Sequence, residues 1–349
     1  MTAEVVREVP ARRRARLRSE ITRVLSALLA PGTPCALVDF PLYANVGDSA
    51  IWSGERAVLR ELGVPVAYTC DERSFRREDL LTVVPEGVIL LQGGGNLGDL
   101  WPERQRFREH VIRSFPRHRI VQLPQSICFR DEENLRRARD VFDAHPDLTL
   151  LVRDRHSLQL ARTHFAATSL LCPDMVFTLP TPATTGHRAH DVVWLARSDH
   201  EATGLPRPAP RGRTLHTDWA DELGAAPAWR LRREAAGRRL RAAVHAVHAR
   251  PGPESASAVA AAHDELAALQ LTRGIDLLAG DVVVTDRLHG HLLCLLLDRP
   301  HVLLADRYDK IENTWRTWTS GWPGVRWAGS PDEAVEQARA LATTAGARK

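Results

Sequence analysis

The feature that most constrains this chain is a repeated alternation of short, wholly apolar runs with longer amphipathic ones. In the first half the apolar runs are "CALVDF" (35–40), "VAYT" (66–69), "GVILLQ" (87–92), "RIVQLP" (119–124), "LTLLVR" (148–153) and "SLLC" (169–172). Helical patterns stand between them: "AIWSGERAVLRELG", stopped by Gly63, then "RQRFREHVIRSF", "DEENLRRARDVFDAH" and "RHSLQLARTHF". Strands that are apolar on both faces and alternate with helices require a parallel sheet covered on both sides. After the turn-rich stretch "PTPATTGHRAH" (180–190) the pattern resumes with "DVVWLAR" (191–197), "DVVVT" (281–285), the helix "RLHGHLLCLLL" and "HVLLA" (301–305). The expected architecture is α/β: two Rossmann-like doubly wound domains, with a cleft between the carboxyl ends of their sheets where such folds take ligands.

A chain of 349 residues exceeds one ordinary core. We expect a basic helical extension at 1–30, a first Rossmann-like domain at 31–180, a second at 181–330 and a C-terminal helix at 331–349. The start has a basic run but no long apolar core, so it reads as an amphipathic helix and not as a signal peptide. No segment approaches the ~18 apolar residues of a membrane span, so any membrane contact would be peripheral. The Ala/Arg-rich stretch from 226 to 272 must be broken at "RPGPES" (250–255).

A net charge of +4 from 47 basic and 43 acidic residues describes a mixed-sign surface. Basic residues are spread without interleaved aromatics, which argues against nucleic acid as a partner. Lys310 and Lys349 are the only lysines, so a lone arginine is weakly informative and Lys310 slightly more so. Five dispersed cysteines without a CxxC pair read as reduced thiols of a cytoplasmic protein.

In a doubly wound fold, chemistry follows strand ends. "PLYANVGDSAI" leads from the first strand into a helix that Asp48 could cap. "NVGD" either only turns the chain or places Asn45 and Asp48 at the cleft rim for sugar hydroxyls, with Asp48 alternatively a base. "QGGGNLGDLW" carries glycines that let backbone approach a ligand, which makes Gly94, Gly95 and Asn96 acceptor-site candidates, or that only permit tight packing. It is neither GxGxxG with a later acidic partner nor a P-loop, which argues against dinucleotide or ATP. Arg153 leaves a strand to pair with Asp154 or to face the cleft, and Asp174 in "CPDMVF" reads as a turn or cap residue.

"DRLHGHLLCLLLDRPHVLLADRYDKIENTW" (286–315) is the most informative segment. Asp286 can cap a helix whose first turn holds Arg287, Leu288 and His289. Free amides and the helix dipole favour an anion there, and Arg287 and His289 add charge-assisted donors. His289 and His291 point about 200° apart on a helix, so they cannot share one metal ion, and no metal site is expected. His291 reads as a helix-surface or packing residue. Tyr308 and Lys310 follow the last apolar strand, where they face either the cleft or solvent.

Taken together, "NVGD", "GGGNLGDLW", "LPQSI", "RDRHS", "PDMVF" and "VTDRLHGHLLCLLLDRPHVLLADRYDKIENTW" resemble the polysaccharide pyruvyltransferase family, in order, over roughly residues 35 to 322. The strand "VVWLARSD" looks like members that act in bacterial exopolysaccharide synthesis. The resemblance implies a GT-B-like pair of domains, the second on the donor side. It implies phosphoenolpyruvate as co-substrate and a saccharide acceptor, lipid-linked in many cases, with a pyruvate ketal as product. Arg287, Leu288 and His289 would then bind the donor, assisted by Arg153. Arg197 and Lys310 would add cationic donors, and protonated His289 would be the general acid. Asp48 or Asp99 would accept the hydroxyl proton. No other cofactor is implied, and the site of action would be cytoplasmic, at the inner membrane face where the acceptor is lipid-linked. The rivals are a GT-B glycosyltransferase using a sugar nucleotide and a non-catalytic saccharide-binding subunit. Residues 226–272 match no signature of the family.

Overall fold

The computed structural model describes residues 3–181, 188–204, 206, 208, 209, 212–225 and 227–346. Of the stretch expected to link the two halves, residues 182–187 lie outside the described residues.

The chain opens with helix α1 (Ala3–Ser26) and then alternates through β1 (Cys35–Val38), α2 (Val46–Glu61), β2 (Val66–Cys70), α3 (Arg77–Val83), β3 (Val88–Leu91), β4 (Gly94–Gly98), α4 (Pro102–Ser114), β5 (Arg119–Cys128), α5 (Glu132–Asp143), β6 (Leu148–Val152), α6 (Arg155–His164) and β7 (Thr168–Leu171). These strands form one parallel sheet in the order β2-β1-β3-β5-β6-β7, with β4 paired to β5 beyond the end of β3. Every residue of β1, β3 and β6 is buried, as expected for central strands covered on both faces. Gly63 ends α2 with a φ of 65°; its amide bonds to Arg60 O and that of Val64 to Leu59 O, a Schellman closure that needs the left-handed conformation.

The second half contributes β8 (His190–Leu195), β9 (Thr214–Thr217), α7 (Trp219–Ala225), α8 (Pro227–Ala249), α9 (Pro253–Asp276), β10 (Gly280–Thr285), α10 (Leu288–Leu296), β11 (His301–Leu303), α11 (Lys310–Thr314), β12 (Val325–Trp327) and α12 (Pro331–Gly346). Its parallel sheet has the order β12-β11-β10-β8-β9. Both sheets wind alike: the second strand lies on one side of the first and the third on the other. Each therefore has a switch point, between β1 and β3 and between β8 and β10, where the following loops diverge and open a crevice.

Helices α8 and α9 follow β9 in sequence, yet α9 packs on α2 and β2 of the first sheet. His263 stacks on Phe40 at 4.1 Å, and Asp264 accepts from Trp52 Nε1 (2.9 Å) and two nitrogens of Arg56. The Ala-rich stretch is thus a cover for the first sheet, and its C-terminal part supports "NVGD": Gln270 Oε1 accepts from the Asn45 amide at 2.9 Å. Helix α1 is fixed through buried Leu17, Ile21, Val24 and Leu25. Its Arg14 pairs with Asp298 and its Arg18 donates to Thr178 O and Glu61. No helix among the described residues is long and apolar enough to cross a membrane.

Candidate active site

The segments after β1, β4, β6, β7, β8, β9, β10 and β11 contribute to one connected group of side chains. At its centre His289, in the first turn of α10, faces the first turn of α2. The ring lies so close to Gly47 that a Cβ there would sit 2.3 Å from Nδ1. The glycine of "NVGD" is required by this approach between two helix N-termini. On the other side, His289 Nε2 is 3.3 Å from Asp174 Oδ2, near but out of line for a hydrogen bond. Asp174 also accepts from Val176 N (3.0 Å) and from Arg153 Nη1 (2.7 Å). Burial alone would raise its carboxyl, but His289, Arg153 and the Val176 amide outweigh that and hold it well below the usual carboxylate range. The cap reading of Asp174 is therefore correct and incomplete.

Arg153 does not pair with Asp154. Asp154 caps α6 through Ser157 N (2.7 Å) and accepts from Ser126 Oγ (2.8 Å). Arg153, 2% exposed, donates to Ser126 and Asp174 and points Nη2 at Gly95, where a Cβ would lie 2.7 Å away. Lys310 Nζ reaches the same glycine, 3.6 Å from that Cβ position. Two cations thus meet over a residue whose lack of side chain keeps the space open.

The other expected cations lie beside them, and all are paired with carboxylates. Arg287 donates from Nε and Nη2 to Asp218 at 2.5 and 2.6 Å. Arg197 grips Asp199 at 2.9 and 2.8 Å and Glu201 at 3.1 Å. Lys310 contacts both oxygens of Glu201, at 3.1 and 3.0 Å, and Trp101 Nε1 donates to the same carboxylate at 3.0 Å. Burial opposes the charge of Asp199, Glu201 and Asp218, but their arginine and lysine partners outweigh it and lower all three. Arg287 occupies the N-cap position of α10, and Asp286, expected to cap, instead accepts from Arg197 N at 2.8 Å. The strand end explains this, since Thr285 Oγ1 takes the Arg287 amide at 3.0 Å and turns the chain before a cap can form. Leu288 is buried in the core.

Asn45, not Asp48, caps α2: its Oδ1 accepts from Gly47 N (2.8 Å) and Asp48 N (3.3 Å). Asp48 Oδ2 accepts from Tyr43 Oη (2.6 Å) and Asn45 Nδ2 (2.9 Å), while Oδ1 faces Gly94, 3.5 Å from a Cβ placed there. The glycines expected as a loop form strand β4. Asn96 is built into the layer beneath, its Oδ1 accepting from Arg108 (2.6 Å) and Gln125 (2.9 Å). Asp99 lies apart from His289, its carboxylate holding the amides of Arg130 (2.9 Å) and Asp131 (2.8 Å) before α5. Beside Lys310 a cavity of about 180 Å³ is lined by Ser126, Cys128, His156, Tyr308 and Asn313. His291 is fully buried, bonded to His301 and Thr319. No group of three or more potential metal ligands occurs among the described residues.

Comparison with known proteins gives the family of the chain. The profile of the family described as polysaccharide pyruvyl transferase matches residues 45–224. The chain is 31% identical over 293 residues to EpsO of Bacillus subtilis (strain 168), whose name assigns it provisionally to pyruvyl transfer; the match covers 82% of this chain and 86% of EpsO. The chain belongs to the polysaccharide pyruvyl transferase family. It is an enzyme of the pyruvyltransferase class. Pyruvyl transferase 1 of Schizosaccharomyces pombe (strain 972 / ATCC 24843) is also 31% identical, over 299 residues, covering 82% of this chain and 70% of the yeast protein. A crystal structure of a functionally uncharacterized protein from Klebsiella pneumoniae aligns with a TM-score of 0.53 at 15% identity, over 90% of this chain and 99% of that one, which shows a shared fold.

Sequence reasoning named the cations and missed their partners. Glu201 and Asp218 lie between β8 and α7, around a Pro/Arg-rich loop without periodicity, and Trp101 was visible only as the end of "GGGNLGDLW".

Proposed function

We propose that this pyruvyltransferase moves the pyruvyl group of phosphoenolpyruvate onto two hydroxyls of a saccharide, forming a ketal and releasing phosphate. The observation that carries the reading is the junction of His289 with Gly47, Asp174 and Arg153, beside three further cations. A donor with a phosphate and a carboxylate needs several cationic donors gathered in one place, and here carboxylate partners hold them there.

In the proposed mechanism the charge of Asp174, 3.3 Å from Nε2, favours a proton on that nitrogen of His289, leaving Nδ1 as the one that exchanges a proton with substrate. Protonation of the donor's methylene carbon makes that carbon a methyl group and the adjacent carbon electrophilic. A saccharide hydroxyl adds there and loses its proton to Asp48, the carboxylate in the first turn of α2. The carbon–oxygen bond to phosphate then breaks, phosphate departs with the proton held by Asp48, and a second hydroxyl closes the ketal, its proton restoring His289. The reaction is redox-neutral and draws on no resident cofactor. Arg153, Arg197, Arg287 and Lys310 hold the donor; Gly94, Gly95, Asn45 and Asn96 form or support the acceptor side.

The equal winding of the two sheets supports a GT-B-like pair of domains, residues 31–180 with the covering helix α9 toward the acceptor and the rest of 181–330 toward the donor. Membership of a family that acts on polysaccharides supports a place in exopolysaccharide or cell-wall glycan synthesis. Five unpaired cysteines fit a reducing cytoplasm, with action at the inner membrane face where the acceptor is lipid-linked. Incubation with phosphoenolpyruvate and a panel of glycosides tests the reading. Phosphate release matched by a product mass gain of pyruvate less water supports it; hexose transfer from a sugar nucleotide with no response to phosphoenolpyruvate overturns it.

A further inference from the structure

Glu201 is an acid in a place built for a ligand. It is 3% exposed, although Thr203, Gly204 and Pro206 of the same loop face solvent. Its carboxylate meets three donors from three separate segments: Trp101 Nε1 at the N-terminus of α4, Lys310 Nζ at the start of α11, and Arg197 Nη1 after β8, at 3.0 to 3.1 Å. Oε1 takes the indole and ammonium, and Oε2 the ammonium and guanidinium. Two donors on each of two oxygens is a pattern that matches a carboxylate, which has two oxygens, better than a phosphate, which has more. Lys310, shared by both oxygens, is also the cation that reaches over Gly95 toward Arg153.

We propose that Trp101, Lys310 and Arg197 form the subsite for the carboxylate of the donor, and that Glu201 is its internal occupant, displaced when the donor binds. The proposal rests on the reading that the donor is phosphoenolpyruvate. Charge balance requires the displacement. Lys310 and Arg197 are already matched by Glu201 and Asp199, so a further carboxylate entering with Glu201 in place would leave a buried site net negative, at severe desolvation cost. Exchange of one carboxylate for another keeps the pairing intact. Residues 200–204 move aside with Glu201, while Asp199 keeps its place on Arg197. Trp101 stays, because it is the N-cap residue of α4. Glu201 thereby sets the donor concentration at which the site fills, and it keeps Lys310 and Arg197 from holding unrelated anions.

Equilibrium binding of phosphoenolpyruvate and, separately, of inorganic phosphate is measured for the wild type, Glu201→Gln, and Glu201→Ala with and without Trp101→Phe. Glu201→Gln removes the competing charge and is expected to bind phosphoenolpyruvate about tenfold more tightly, with phosphate affinity changed less than about twofold. Trp101→Phe keeps the ring and loses the N–H donor; because that donor serves Glu201 in the free site and the ligand in the filled one, it is read in a Glu201→Ala background, where it is expected to weaken phosphoenolpyruvate about tenfold and leave phosphate unchanged. Unaltered or weaker phosphoenolpyruvate binding by Glu201→Gln, or unaltered binding on adding Trp101→Phe to Glu201→Ala, overturns the subsite while the donor reading stands. If Glu201→Gln does not fold, the Glu201→Ala pair decides alone. Wild-type protein that binds neither ligand removes the donor reading and the subsite with it.

Discussion

The imidazole of His289 occupies the space that a side chain on Gly47 would need, with Nδ1 2.3 Å from the position of its Cβ. Two helix N-termini, one after β1 and one after β10, are locked together through this contact. Gly47→Ala is expected to push the ring aside by about an ångström and lower kcat roughly 100-fold. Folding should survive, because alanine is the better helix former by about 1 kcal/mol. Turnover and far-ultraviolet circular dichroism, measured on one preparation, check this; normal turnover would show that the close approach has no catalytic consequence.

The two carboxylates named as bases separate in the structure. Asp48 lies on the first turn of α2, whereas Asp99 is taken up by the amides of Arg130 and Asp131. Asp48→Asn should depress turnover by about 10²-fold or more. Asp99→Ala should cost about 1 kcal/mol of stability, as a lost cap does, and leave turnover nearly intact. Turnover and denaturant midpoints for both variants decide the assignment, and the reverse pattern would exchange the two roles.

Arg287 makes a paired contact to Asp218, with both partners buried. Arg287→Ala leaves that carboxylate without its counter-ion and should destabilise the protein by about 3–5 kcal/mol. Arg287→Lys keeps the charge but loses the fork, so donor affinity should fall with a smaller stability loss. Urea titration beside donor binding separates the effects. A stable, fully active Arg287→Ala would remove both the structural and the donor-binding role.

The buried pair His291 and His301 gives a pH dependence of known sign. Arg299 O accepts from His301 Nδ1, so His301 Nε2 accepts from His291, whose Nε2 in turn accepts from Thr319. Burial holds both rings neutral, pushing His291 well down, helped by His301, and His301 down to about 4. The unfolded chain takes up these protons below about pH 6.5 and the folded one does not. Stability from this pair is therefore intact above that value and declines as pH falls; the His301 share levels off near its folded value after a loss on the order of 3 kcal/mol, and the His291 share continues to fall below it. A His291→Gln/His301→Gln double variant should lose less stability than wild type between pH 7 and 4.5 by urea unfolding. Equal losses would contradict the neutral assignment.

Much of the fold was legible because β1, β3, β6 and β10 are nearly continuous apolar runs, a signal that survives without neighbours. Strand β12 spans three residues, too few for periodicity, and β9 reads "TLHT" after a proline-rich loop. The glycines of β4 masked a strand, because its pairing with β5 depends on backbone and not on side-chain pattern. Strand β5 continues past Pro124 to Cys128 through a register shift between Gln122 and Gln125, which a proline in an apolar run conceals. In the site, His289 and the arginines stood beside recognisable strand ends. Asp218 and Glu201 did not, since a carboxylate becomes informative only when the cation it meets, 69 or 109 residues away in sequence, is in view.

The most direct test of the central claim compares wild type and His289→Ala in one assay, following phosphate release from phosphoenolpyruvate and the mass of the saccharide product. The wild type should release one phosphate per pyruvyl group gained, and the folded variant should be slower by about 10² to 10⁴-fold. A folded His289→Ala protein that forms the same product at nearly the wild-type rate would contradict the account.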